Sequence, residues 1–176
     1  MTRLRQIICA LLATLLITGC TGLPEGVHPV SDFELARYLG KWYEIARLDH
    51  SFERGLVQIT AEYSMRKDGG VRVVNRGFSP ATNSWKEVEG RAYFVASPDI
   101  GQLKVSFFGP FYGGYNIIAL DREYSYAMIA GPDHSYLWIL AREPELDVGL
   151  LQALIAQAAA LGFPVDKLIF VDHASQ

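Results

Sequence analysis

From residue 40 onward the chain is a succession of short runs rich in Val, Ile, Tyr, Phe and Trp, most of them alternating apolar and polar residues with period two. Eight such runs cover roughly Gly40–Leu48, Leu56–Met65, Val71–Phe78, Lys86–Ala96, Leu103–Phe108, Tyr115–Leu120, Tyr124–Ala130 and Tyr136–Ala141. The separators carry turn chemistry: Lys67-Asp68-Gly69-Gly70, Ser79-Pro80-Ala81-Thr82-Asn83, Ser97-Pro98-Asp99, Asp121-Arg122-Glu123 and Gly131-Pro132-Asp133. Strands joined so tightly pair as antiparallel neighbours. The first separator, Asp49 to Gly55, is longer and more mixed, as suits a loop over an opening.

The pattern then changes once. EPELDVGLLQALIAQAAALG places apolar residues at Leu146, Leu150, Leu154, Ala158 and Leu161, which predicts one amphipathic helix with Pro144 in its first turn and Gly162, Phe163 and Pro164 ending it. A short final strand is expected over Lys167–Val171. Eight hairpin-linked strands make either a sandwich or a barrel, and closure alone removes the exposed edges. Inward positions such as Val57, Ile59, Ala61, Tyr63, Val105 and Phe107 are apolar without being uniformly bulky, which favours the barrel. The expected fold is therefore all-β, an eight-stranded antiparallel up-and-down barrel with a C-terminal helix and a short last strand. An eight-stranded barrel can enclose one small ligand.

Half of the 176 residues are apolar, enough for one domain with a real core. The first segment stands apart from it: Arg3 and Arg5 precede an apolar run from Ile7 to Ile17 that is too short to span a bilayer comfortably, the layout of an export signal. Ile17-Thr18-Gly19-Cys20 resembles the lipobox of bacterial lipoproteins, which implies cleavage of residues 1–19 and acylation of Cys20. Thr21 in place of an aspartate implies the outer membrane, with the domain facing the periplasm. Residues 20–30 read as the lipidated N-terminus and a Gly/Pro linker, and residues 31–176 as the barrel domain. Cleavage removes Cys9, Arg3 and Arg5, takes the formal charge from −3 to −5 and leaves Cys20 as the one cysteine, so no intramolecular disulfide can form. An acidic domain without a Lys/Arg block excludes nucleic acid as a partner.

Gly40-Lys41-Trp42 ahead of a strand, one helix after eight strands and Arg142 just past the last of them resemble the lipocalins over nearly all of residues 31–171. In that family the tryptophan plugs the closed end of the barrel and the arginine packs across it, which implies floor roles for Gly40, Trp42 and Arg142. GKWYEIARLDHSFERG and FFGPFYGGYNIIALDREY are most similar to the bacterial outer-membrane lipocalins. Many relatives place Thr-Asp-Tyr between the sixth and seventh strands. Here Asp121 matches, but Leu120 and Arg122 stand where the threonine and tyrosine would, which puts receptor contacts at that end in doubt. The resemblance implies storage or transport of a lipid or other small hydrophobic ligand, such as a fatty acid (palmitate, for instance) or a lysophospholipid. A sixteen-carbon chain would gain about 12 kcal/mol at about 0.8 per methylene. Association returns about 4 to 15 kcal/mol, leaving a reversible affinity that suits a carrier.

Strand parity nominates the cavity lining. With Trp138 turned toward the ligand as in relatives, Tyr136 and Leu140 face in with it, followed by Tyr115 and Ile117, Tyr126 and Met128, and Val105 and Phe107 across the barrel. Strict alternation from Trp42 also points Glu44 inward, where a carboxylate is costly. The expectation is instead a bulge that turns Glu44 out and brings Arg47 toward the mouth. Gly109-Pro110-Phe111-Tyr112-Gly113-Gly114 lacks the lysine and helix of a phosphate loop and reads as an aromatic loop, with Phe111 and Tyr112 at an entrance or a partner contact.

No enzymatic activity, metal or cofactor is expected. The histidines, at 28, 50, 134 and 173, lack metal-ligand spacing, His50 reads as part of a polar loop, and Asp133-His134-Ser135 is a hairpin turn whose adjacent residues cannot form a triad. Two other classes stay open: esterase or isomerase chemistry on the same fold, tested at His50, and an envelope interaction protein with a filled barrel. A homodimer is compatible with the sequence, which has no feature calling for one.

Overall fold

The computed structural model describes residues 21–174; the leader 1–19 and Cys20 lie outside the described residues. Eight strands run alternately up and down: β1 (Gly40–Arg47), β2 (Val57–Met65), β3 (Val71–Ser79), β4 (Ser84–Phe94), β5 (Gln102–Ser106), β6 (Gly113–Leu120), β7 (Tyr126–Ala130) and β8 (Leu137–Ala141). Each pairs antiparallel with the next, and β8 returns to β1 with Tyr43 opposite Ala141, so the sheet closes into the expected barrel. β1 and β2 are paired only from Gly40 to Tyr43. Where they part, a two-residue strand β9 (Ile169–Phe170) pairs with Ala46 and Arg47, and the Gln58 N–H donates to Asp172. The last strand is thus shorter than expected and closes a gap in the wall.

A four-residue helix α1 (Leu35–Tyr38), which no periodicity announced, lies across the lower end. The second helix, α2 (Val148–Ala160), starts later than expected: Asp147 caps it by accepting from the Leu150 N–H at 2.9 Å, and Pro144 lies ahead of the cap, outside the first turn. Gly162, at φ +88°, ends it where an L side chain would be strained. No described helix is long and apolar enough to cross a membrane.

Two apolar cores result. One fills the barrel, with Phe33, Tyr38, Trp42, Tyr63, Val71, Val73, Leu103, Ile117 and Ile129 among its members. The other lies between the wall and α2, where Ile45, Ala46, Ile118, Met128 and Ile139 meet Leu154 and Ala158. Residues 21–30, expected to be a linker, are instead packed on the wall. Val27 is buried in the outer core, and the Val30 N–H donates to Ile117 while its carbonyl accepts from Gly101. The segment descends from Gly22, beside Asn116, to Phe33 at the floor, where the Phe33 N–H donates to Asp99.

Candidate ligand-binding site

The floor is built on Trp42. Its indole N–H donates to the Tyr38 carbonyl at 2.8 Å, and the Arg142 guanidinium lies 4.0 Å above the ring. Arg142 also ties the end of the barrel together, donating to the carbonyls of Arg37, Lys41 and Tyr124. Gly40 has φ +93°, a conformation that would strain an L side chain.

Above the floor is a narrow gap of about 10 Å³ lined by Phe33, Leu35, Tyr38, Tyr63, Val71, Val73, Ala92, Leu103, Val105 and Tyr115. That is room for about one water molecule and well below the range for ligand pockets, so side chains fill most of the interior and a bound chain would have to displace them. The polar atoms here are phenol oxygens in a row: the Tyr115 hydroxyl bonds to that of Tyr38 at 2.6 Å and to that of Tyr63 at 2.7 Å. Burial raises the pKa of all three phenols, so the row is neutral.

Nearer the open end the interior changes character. Glu44 and Arg47 both point inward and are both buried. Arg47 Nη1 donates to Glu44 Oε1 at 3.0 Å and Nη2 to the Glu53 carbonyl at 3.0 Å, while the Glu53 carboxylate lies 3.8 Å from Arg47 Nε and accepts from the Trp138 indole at 3.1 Å. Arg47 Nε itself has no hydrogen-bond partner. Over this cluster His50 stacks on Tyr136, with ring centroids 4.6 Å apart, and on Phe52 at 5.4 Å, with Trp138 tilted against it at 4.8 Å. Burial, then the nearby Glu53 charge, pushes the Glu44 carboxyl well above its ordinary range against the pull of Arg47. Burial also raises Glu53, opposed by the Trp138 hydrogen bond and Arg47. His50 is lowered to about 4 by burial and by Arg47, and is neutral at ordinary pH. The mouth thus holds two carboxyl groups that share one guanidinium under an aromatic cover.

The expectation for Glu44 needs correction. A bulge does exist, but it falls between Glu44 and Ala46, one residue too late to turn Glu44 out. Glu44 pairs with Leu140 and Arg47 with Trp138, both inward positions, while Ile45 and Ala46 take the outer face together. A second bulge, between Ile117 and Ala119, overturns the inward assignment of Tyr126 and Met128. Counted from the Asp121–Ser125 turn without the extra residue, Ile117 would oppose Ala130 and share its face with Met128. With it, Ile117 opposes Ile129. Met128 is buried in the outer core beneath α2, and Tyr126 packs at its edge. Val57 is likewise turned out: Gln58 adopts φ +51° and Val57 pairs with Phe78, whose ring packs on exposed Trp85.

Trp138, Leu140, Tyr115, Ile117, Val105 and Phe107 lie in or against the interior cluster, and Tyr136 stands at the rim against His50. Glu53, Tyr38 and Phe33 were missed. They come from the loop and the segment outside the alternating strands, where periodicity carries no signal. His50 is not the polar loop residue expected but a buried ring. Asp133 accepts from the Ser135 N–H at 2.8 Å while His134 Nε2 donates to the Leu161 carbonyl at 2.9 Å, so those three side chains do not converge. The 109–114 loop lies at the open end, between β5 and β6.

Residues 33–173 match the model of the lipocalin-like domain. The chain is 57% identical over 167 residues to the outer membrane lipoprotein Blc of Vibrio cholerae, covering 94% of this chain and 98% of that protein. It is 52% identical to the outer membrane lipoprotein Blc of Escherichia coli, covering 97% and 98%. Among solved structures, insecticyanin from the tobacco hornworm superposes with a TM-score of 0.68 at 22% identity, covering 88% of each chain, a likeness of fold.

Proposed function

This chain belongs to the lipocalin-like domain family, and from that premise we propose that it is an outer-membrane lipoprotein that carries one single-chain amphiphile, a fatty acid or lysophospholipid, within its barrel. The observation that carries this reading is the polarity of the interior along the barrel axis. Valines, Leu103 and aromatic rings line the lower half, and Glu44, Arg47, Glu53 and Trp138 gather at the upper end. An amphiphile has the same profile, with its chain set toward the floor and its headgroup beside the charged cluster. Each methylene removed from water contributes about 0.8 kcal/mol.

The role is carriage, and anchoring through an acylated Cys20 would keep the carrier at the membrane. A single acyl chain anchors only reversibly, whereas two or more hold. The test is native mass spectrometry of protein extracted in mild detergent, followed by titration with a fatty acid and a lysophospholipid while tryptophan emission is read. Of the three tryptophans, Trp42 is sealed in the floor and Trp85 lies on the outer wall, so Trp138 is the reporter. One bound acyl species, and an emission change that saturates at one site and disappears in Trp138→Phe, is the expected result. No bound mass and no response to either lipid would favour a filled barrel serving as an interaction protein.

A further inference from the structure

The two ends of the barrel differ in charge. At the closed end the turns read Arg66-Lys67-Asp68 and Asp121-Arg122-Glu123, followed by Arg142 and Glu143. At the open end, residues 80–83 (Pro-Ala-Thr-Asn) and 107–113 (Phe-Phe-Gly-Pro-Phe-Tyr-Gly) carry no charged side chain, and the 131–136 turn carries one carboxylate, Asp133. In the first loop Asp49 and Arg54 neutralise each other in a salt bridge of 2.5 Å. Four of the five exposed aromatic rings among the described residues follow the same division, Phe52 at 59%, Trp85 at 47%, Phe108 at 75% and Phe111 at 80% beside the open end, while Phe170 at 57% lies on the side wall opposite Ala46. The closed end exposes the aliphatic Met65 and Val95 but no large aromatic among the described residues.

The path of the N-terminal segment points the same way. Gly22 reaches the open half of the wall, where its carbonyl accepts from the Asn116 side chain at 3.2 Å and lies against Gly114 and the 131–132 turn. Cys20 is two residues earlier, and two residues span at most about 7 Å. The described chain therefore begins at the mouth and not at the floor, and an acyl anchor on Cys20 would be tethered within that reach of Gly22.

We propose that the open rim is a bilayer-docking surface, with Phe108 and Phe111 set into the interfacial layer of a phospholipid membrane beside Phe52 and Trp85, so that the cavity opens onto the membrane. The occupant is a lipid surface held by apolar partitioning. The cations beside the rim, Arg76 on the Trp85 ring and Arg91 and Lys104 on that of Tyr112, lie on rings of the wall and loop, and a formal charge of −5 without residues 1–19 gives the domain no net attraction to anionic lipid. Aromatic rings flanked by glycine and proline suit that layer, where one edge is apolar and the other wet. A cargo chain then passes between membrane and barrel without crossing water. This rests on the carrier reading and on acylation of Cys20.

The test uses the full lipoprotein reconstituted into phosphatidylethanolamine vesicles that contain lipids brominated along the acyl chain. Phe111→Trp and Val95→Trp, each in a Trp85→Phe background, report on the two ends. Quenching of the first and not of the second, unchanged by high salt, is the expected result. Equal quenching, none, or quenching only at 95 overturns the proposal. So does a residue-111 probe shielded from aqueous quencher by cross-linking to a second copy, since the rim is then a dimer interface. Phe108→Ser/Phe111→Ser should slow uptake of a fluorescent fatty acid from vesicles by about tenfold or more while leaving its affinity in solution unchanged; unchanged uptake also counts against the proposal. Flotation with the vesicles reports the anchor, and mass spectrometry of lipid extracted from the same sample reports the cargo, so failure of either is seen separately from failure of the rim.

Discussion

Glu44 and Arg47 are three residues apart, a spacing that in an unbroken strand sends two side chains to opposite faces. They meet because the bulge inserts one residue between them, and the pair is then buried with Glu53 as a second claimant on one guanidinium. Losing one partner of such a pair leaves an uncompensated charge, at a cost of about 3–5 kcal/mol. The cluster also leaves a pH signature. A carboxyl raised in the folded state holds its proton more tightly there than in the unfolded chain. Its contribution to stability is therefore largest at and below the unfolded value, about 4.3 for Glu, and declines as pH rises toward the raised native value. Glu44→Gln removes that dependence. The wild-type protein should gain on this variant as pH falls from neutral toward about 4.3, with a slope of up to about 1.4 kcal/mol per pH unit, read from urea unfolding at a series of pH values. His50 works in the opposite sense, since its lowered pKa costs stability as pH falls from about 6.5 toward 4, but it is common to both proteins and cancels. A difference that is flat, or that grows with pH, would mean that Glu44 is ionised and fully paired.

Among the elements, the strands and turns were legible because alternation and Gly/Pro/Asp separators are local signals, and the Gly40-Lys41-Trp42 start and Arg142 located the floor. Facing was legible only between bulges. The extra residue on β1 falls after Glu44 instead of before it, which leaves Glu44 inward, and the one on β6 reverses the assignments of Tyr126 and Met128; neither insertion disturbs the apolar composition that a reader of the sequence would count. Both bulges have the same consequence: Ile45 with Ala46, and Ile118 with Ala119, put two consecutive apolar side chains on the outer face in the core under α2. Met128→Ala therefore opens a cavity in the helix–wall core. It should destabilise the protein by about 2–5 kcal/mol in thermal or urea unfolding without altering the affinity for a fatty acid. Val105→Phe, on the cavity wall, should do the reverse, weakening the fatty acid with a smaller loss of stability. If Met128→Ala instead changed ligand affinity as much as stability, the division between the two cores would be wrong.

At the scale of the whole molecule, the plug at one end and the opening at the other make ligand binding a property of the closed barrel alone. The lining comes from the floor segment, β2, β3, β4, β5 and β6 together, with β1, β8 and the first loop supplying the mouth. No stretch of the unfolded chain reproduces it, so cargo binds the native state and shifts unfolding by mass action. At a free ligand concentration one hundred times the Kd the gain is about 2.7 kcal/mol. For a domain of this size each kcal/mol moves the midpoint by about 2–4 °C, so saturation with a sixteen-carbon fatty acid should raise Tm by roughly 5–11 °C. The shift should follow the logarithm of ligand concentration. Trp138→Ala should reduce it, because that ring joins the interior cluster to Glu53, whereas Trp85→Ala, on the outer wall, should leave it intact. Differential scanning calorimetry with increasing fatty acid decides the matter. A Tm that ignores the ligand means that the narrow interior above the floor does not open to admit a chain, and that it serves only to hold the wall closed.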